Sequence, residues 1–255
     1  MKMLWALATN TFREAVRDRV LYSILFFAVG VLGLSLIVED LTIGDQAKVV
    51  RSVAQGSVDV FGAIIAMFLG VSVIHKELER KTVYTVLSRP LPRWRFVLGK
   101  YVGLMLTLVV EIAVLVAVYT LFMVTRNDLP DLTLYVSMGM LVAELALLTA
   151  WATLFSAYSA PTTAAAFTLA IFVIGHLADD IWLYGNQAEA ESVRSFARAL
   201  YWMLPNFEVF SIREAAVHKE AVPWDRVTTG LAYGFGYTVA VLGAAVAVFQ
   251  NKDVK

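Results

Sequence analysis

The chain has 255 residues, 59% of them hydrophobic and 16% charged, with a mean hydropathy of +0.70, and its charges are clumped between apolar runs long enough to cross a hydrocarbon core about 30 Å thick. Its 21 basic and 21 acidic side chains balance, and no basic, aromatic-interleaved patch lies outside the membrane-flanking loops, so nothing marks a nucleic-acid partner. The absence of cysteine excludes disulfides, thiol chemistry and Cys-ligated metal.

In chain order, the first element is an amphipathic helix over residues 1–19. Trp5, Ala8, Phe12, Ala15 and Val16 fall on one face and Asn10, Arg13, Glu14, Arg17 and Asp18 on the other, the pattern of a helix lying in the membrane interface. Six apolar spans follow, at approximately Val20 to Val38, Val53 to Ile74, Phe96 to Val124, Leu132 to Phe155, Thr162 to Ala178 and Thr229 to Phe249. The first is too long for a signal peptide and lacks a small-x-small cleavage site at its end, so it reads as a retained span. The fifth is the shortest.

Basic residues orient these spans, because short loops rich in Lys and Arg stay cytoplasmic. Lys76 to Lys100 holds seven, the N-terminal tail four (Lys2, Arg13, Arg17, Arg19) and the C-terminal tail Lys252 and Lys255, whereas the connections after spans one and three hold only Lys48 and Arg51, and Arg126. Both termini and the Lys76 to Lys100 loop are therefore expected in the cytoplasm, in the cell (inner) membrane. Asp179 to Thr228 is placed outside; its length lets it cross regardless of charge. Within it Val193, Phe196, Ala197, Leu200 and Leu204 repeat at helical spacing until Pro205, which predicts either a lid or re-entrant helix or an ordinary soluble cap helix.

The cytoplasmic loop has more structure than topology needs. Glu77 to Leu87 has helical composition, and Ser88-Arg89-Pro90-Leu91-Pro92 stops a helix by removing donors and restricting the preceding residues. Leu78, Val83, Val86 and Leu87 supply an apolar side; Glu77, Glu79, Arg80 and Lys81 supply charge for orienting a partner. A solvated basic loop that only fixes topology is the plainer alternative.

With its order of parts and the pattern E-x-E-x-x-T, L-S-x-P, R-x-x-F-x-x-G-K, present as Glu77, Glu79, Thr82, Leu87, Ser88, Pro90, Arg93, Phe96, Gly99 and Lys100, the chain resembles the type-2 permeases of ATP-binding-cassette (ABC) exporters. It looks most like those associated with multicopper-enzyme or nitrous-oxide-reductase maturation. Arg80 and Lys81 stand where the family usually has a glycine before the threonine. The resemblance implies an all-α membrane protein, a single permease domain over 1–255, with six transmembrane helices, the interfacial helix, a cytoplasmic coupling helix within 76–95 and an outer helical segment at 179–228. It implies ATPase coupling through Glu77, Leu78, Glu79, Arg80, Thr82, Val83, Val86, Leu87, Pro90 and Arg93. It also implies a second permease copy, identical or paralogous, and separate ABC ATPase subunits that hold ATP and Mg. This chain itself is expected to bind no cofactor and to have no catalytic or metal site.

The residues agree that no motor is built in. A phosphate-binding loop needs G-x-x-x-x-G-K-[ST], but Gly99-Lys100 is followed by Tyr101 and the position five before Gly99 is Trp94. His75, His176 and His218 are scattered and read as interfacial or packed side chains. Met138 and Met140 read as core or lipid-facing, since residues two apart do not share a helix face. Glu111 and Glu144 lie about halfway along spans three and four, at similar depth in an antiparallel hairpin. A mid-membrane carboxylate costs on the order of 3 kcal/mol, so these two either line a translocation path or bond to neighbours such as Thr107 or Thr149. Two rival functions stay open: a non-transporting mechanotransmitter acting on an external partner, and an intramembrane enzyme using Glu111, Glu144 or the Asp179-Asp180 pair.

Overall fold

The computed structural model describes residues 2–41, 46–79, 92–125 and 127–251, and all regular structure among them is helical. In order these are α1 (Lys2–Val16), α2 (Arg19–Leu41), α3 (Gln46–Glu79), α4 (Arg93–Thr125), α5 (Leu132–Tyr158), α6 (Pro161–His176), α7 (Ala178–Gln187), α8 (Glu191–Met203), a 3-10 turn (Glu208–Phe210), α9 (Arg213–His218) and α10 (Trp224–Asn251). Among the described residues four helices are long and apolar enough to cross a membrane, within α3, α4, α5 and α10. The pair α6 and α7, bent by 59°, makes a fifth if counted as one span. The 23-residue α2 covers the first expected span, with an apolar stretch at Leu21–Val31.

Five of the six expected spans fall inside single helices, whereas the fifth, Thr162 to Ala178, crosses the break between α6 and α7, and two differences are informative. First, α3 does not stop at Ile74 but runs through His75, Lys76, Glu77 and Leu78 to Glu79, because hydropathy can change where the backbone ladder does not. Glu77 to Glu79 thus continue α3. Arg80, Thr82, Val83, Val86, Leu87 and Pro90, the rest of the expected coupling contact, lie outside the described residues.

Second, the fifth span is short. Proline at its first position suits a helix start, and its 16 residues rise about 24 Å, less than the roughly 30 Å of a hydrocarbon core. The chain then turns at Leu177 into α7. The loop after α8 seals this end: the Phe207 N–H donates to the Gly175 carbonyl at 3.0 Å, and the Phe207 ring fills the place where a Gly175 side chain would be.

The helix expected around Val193 to Leu204 is α8. It forms a hairpin with α7, sealed by Ala197 against Gly185 and by Trp182 on Tyr201 with ring centroids 4.8 Å apart. Leu183, Tyr184, Val193, Phe196, Trp202 and Met203 remain exposed on it. A cap helix packed in water would bury that stripe. Here only Ala197 of the expected α8 face is fully buried.

α1 differs in which face it uses. Ala8, Thr11 and Ala15 are buried, whereas Trp5, expected on the same side, is 60% exposed. The reason is Gly99 and Gly103 on α4, a G-x-x-x-G pair that lets the two helices approach closely. A Cβ at Gly103 would lie 2.6 Å from the Ala8 carbonyl oxygen, and one at Gly99 would lie 2.9 Å from Leu7 Cβ. Phe96, stacked on Phe249 at 5.6 Å, and Lys100, 2% exposed with Nζ 5.9 Å from the Phe96 ring, complete this joint. Gly103→Ala should therefore destabilise the purified chain by about 1–3 kcal/mol through overpacking. Gly236→Ala, at a helical position with open space around it, should stabilise it by up to about 1 kcal/mol. Thermal unfolding in detergent reads both signs.

Candidate functional site

Two helices long and apolar enough to cross a membrane, α3 and α5, and the shorter α6 place polar side chains opposite one another. Gln55 and Asp59 lie one turn apart on α3, Ser137 and Glu144 lie two turns apart on α5, and His176 is the last residue of α6. Because α6 runs back along α5 for only about 24 Å, His176 stops beside the middle of α5 instead of passing it. His176 Nε2 is 3.3 Å from Glu144 Oε1, and Gln55 Nε2 donates to Ser137 Oγ. Together with Phe172, Glu208, Phe210 and Arg213 these residues line a cavity of about 310 Å³.

The histidine geometry places one proton. Its Nδ1 lies 3.0 Å from the Phe172 carbonyl oxygen, which can only accept, so Nδ1 carries hydrogen. A proton at the Nε2 contact, on either the imidazole or the carboxyl, makes the pair neutral as a unit. The ring is held between Phe172 at 4.5 Å and Phe207 at 5.5 Å.

Arg213, the first residue of α9, lines this cavity from the loop side. Its Nη2 donates to the Ser52 carbonyl and, at 3.1 Å, to Ser52 Oγ, while Nη1 lies 3.7 Å from Asp59 Oδ2. The guanidinium fits because position 56 is glycine: a Cβ there would lie 2.7 Å from Arg213 Nη2. Neighbouring charges pin the same short helix. Arg51 Nη1 donates to the Val217 carbonyl at 2.6 Å, Arg51 Nε lies 3.0 Å from Asp128 Oδ2, and Lys219 donates to Asp128 Oδ1. Thr133 donates to the Glu220 carbonyl at 2.7 Å. Beyond Arg213 lies a larger cavity of about 630 Å³, and Glu208, Ser211, Ile212 and Arg213 form the wall common to both.

The two carboxylates singled out in the sequence part company here. Glu144 faces the cavity; Glu111 is buried on α4, is not among the cavity's lining residues, and its Oε2 has no hydrogen-bond partner. Thr107 and Thr149 donate to carbonyls one turn back on their own helices, Gly103 and Leu145. Opposite signs follow. Glu111→Met should stabilise the chain by about 1–3 kcal/mol, since it removes a buried acceptor with no partner. Glu144→Met should cost about 1–3 kcal/mol, since it breaks a pair whose carboxylate is buried and whose imidazole is partly exposed. Equal effects in thermal unfolding would contradict the asymmetry.

Asp179 accepts a hydrogen bond from Asn206 Nδ2 at 2.6 Å and Asp180 is exposed; neither lines the polar cavity. Met138 and Met140 are buried in the core. Among the described residues no group of three or more His, Asp or Glu is placed to hold a metal ion. Asp59, Gln55 and Arg213 went unnoticed in the sequence, although an aspartate inside the apolar run Val53 to Ile74 is itself a signal. For Arg213 there was none.

No curated protein matches the chain. The family model described as ABC-2 family transporter protein matches residues 5–254, a stretch that takes in every candidate span and nearly the whole sequence. The chain therefore belongs to the ABC-2 transporter family, as a multi-pass membrane permease subunit of an ABC transporter and not its ATPase.

Proposed function

We propose that this permease couples ATP hydrolysis by separate ATPase subunits to export across the cell membrane, with Glu77 to Leu87 as the ATPase contact. In this reading all of 1–255 is one permease domain with six spans, α2 being the first and α6 the fifth. Both termini face the cytoplasm, and two permease copies work together beside ATPase subunits that hold ATP and Mg. The α7–α8 hairpin, with its exposed Trp, Tyr and Phe side chains, lies in the outer membrane interface as a re-entrant lid, where such aromatics are favoured. The likeness to permeases of multicopper-enzyme or nitrous-oxide-reductase maturation remains the finer form of this proposal.

The observation that carries the reading is the length and continuity of α3. Its 34 residues run unbroken from Gln46 to Glu79, and the stretch from the Ser52 contact with Arg213 to Glu79 rises about 40 Å, that from Asp59 about 30 Å. A push on the charged end moves the wall of the polar cavity as a lever, with no further joint in between. α1, clamped to α4 at Gly99 and Gly103, braces the start of the helix that follows the contact segment.

Glu77→Ala with Glu79→Ala should reduce ATP-driven transport in the reconstituted complex at least tenfold while leaving membrane insertion unchanged. The chain purified alone should hydrolyse no ATP. Transport at the native rate in the double variant would argue against the contact.

A further inference from the structure

The cavity lined by Arg213 has acidic walls suited to a positively charged ligand, and the Arg213 guanidinium sits where such a ligand would meet Asp59. Its guanidinium reaches over the glycine gap at position 56 and rests on Ser52, but its approach to the Asp59 carboxylate is long, 3.7 Å. A guanidinium that engages a carboxylate fully does so with two short parallel bonds. The Arg213 to Asp59 contact is open to displacement.

The charge count behind it is unequal. Arg213 and His176 are the basic side chains lining the cavity, and Asp59, Glu144 and Glu208 the acidic ones. Glu144 and His176, with a proton between them, cancel as a neutral pair. If Arg213 swings away, Asp59 and Glu208 face the cavity with no basic side chain but the Glu144-paired His176 among its lining residues. Phe172 and Phe210 also line the cavity, and aromatic rings in desolvated sites attract cations that reach their faces. The volume of about 310 Å³ is at the small end of ligand pockets. The larger cavity shares Arg213 as part of its wall, together with Glu208, Ser211 and Ile212.

We infer that the cavity binds a small organic cation with a guanidinium or primary ammonium head, seated against Asp59 in the place Arg213 now holds. Arg213 acts as a tethered stand-in that holds that place when the site is empty. This deepens the transport reading by naming a ligand class for the cavity, but the binding does not require the ATPase.

The test uses the purified full chain in detergent, with radiolabelled agmatine as the cationic probe and glutarate as an anion of similar size, both measured by equilibrium dialysis. Saturable agmatine binding is expected in the native chain, and Arg213→Gln should tighten it at least tenfold by removing the competitor. Adding Asp59→Asn to that variant should weaken it at least tenfold, and glutarate should bind to none of them. Should Arg213→Gln fail to fold by thermal unfolding, Arg213→Lys, with one short head instead of a fork, should still tighten agmatine measurably. Agmatine binding that ignores both substitutions, or glutarate binding of equal strength, would overturn the inference. Because no nucleotide is involved, loss of ATP coupling in a Glu77 and Glu79 variant with agmatine binding retained would indict the contact segment and not this site.

Discussion

Asp128→Ala should lower the stability of the purified chain by about 3 kcal/mol, the cost of leaving a largely buried charge without its partner. Asp128 receives both Arg51, whose Nε lies 3.0 Å away, and Lys219, while Arg51 also holds the Val217 carbonyl at the end of α9. Arg51 is only 11% exposed, against 20% for Asp128, so solvent screens the pair weakly. Removing the carboxylate leaves two cations beside each other and loosens α9, which carries Arg213. Arg51→Met in the Asp128→Ala background should recover part of the loss, and a double-mutant cycle in thermal unfolding measures how much. A loss under about 0.5 kcal/mol would class the pair with ordinary surface ion pairs and would remove the anchor assigned to α9.

The second large effect concerns α3. Two glycines inserted between Glu79 and Arg80 should cut ATP-driven transport at least tenfold while ATP hydrolysis by the assembled complex continues near its native rate. A lever transmits displacement only if it is stiff, and paired glycines are the most conformationally permissive insertion available. The same insertion between Glu189 and Ala190, in the exposed connection of α7 and α8, should leave both rates unchanged, since no force is assigned to pass there. Parallel loss of hydrolysis and transport at the Glu79 insertion would mean that the insertion abolished docking, and the lever would then lack support.

The helices within α3, α4, α5 and α10 were legible as spans because a run of apolar residues is a physical requirement of the bilayer, independent of the partners each helix finds. Limits were less legible where hydropathy and helicity diverge, as at His75 to Glu79, where charge begins but the hydrogen-bond ladder continues. On α1 the expected face holds for Ala8 and Ala15 but not for Trp5, because an amphipathic pattern separates polar from apolar without saying whether the apolar side meets lipid or protein. Gly99 and Gly103 decide that, and they sit on α4, about ninety residues away along a helix-packing surface of small residues. Glu144 was recognised as costly at mid-membrane, but its partner was not. His176 looked scattered until the shortness of span five placed its end beside the middle of α5. That shortness was visible in the sequence. Arg213 sat in a polar segment where arginine is ordinary, and only the tertiary fold brings it to Gly56 and Asp59.

The most direct test of the central claim is to replace Glu77 to Leu87 with a flexible Gly/Ser linker of equal length and to measure ATPase co-purification and ATP-driven transport on the same reconstituted samples. The account predicts that co-purification falls to background and transport is lost, with the chain still inserted and folded by thermal unfolding. Undiminished co-purification with transport intact would place the contact elsewhere and contradict the lever.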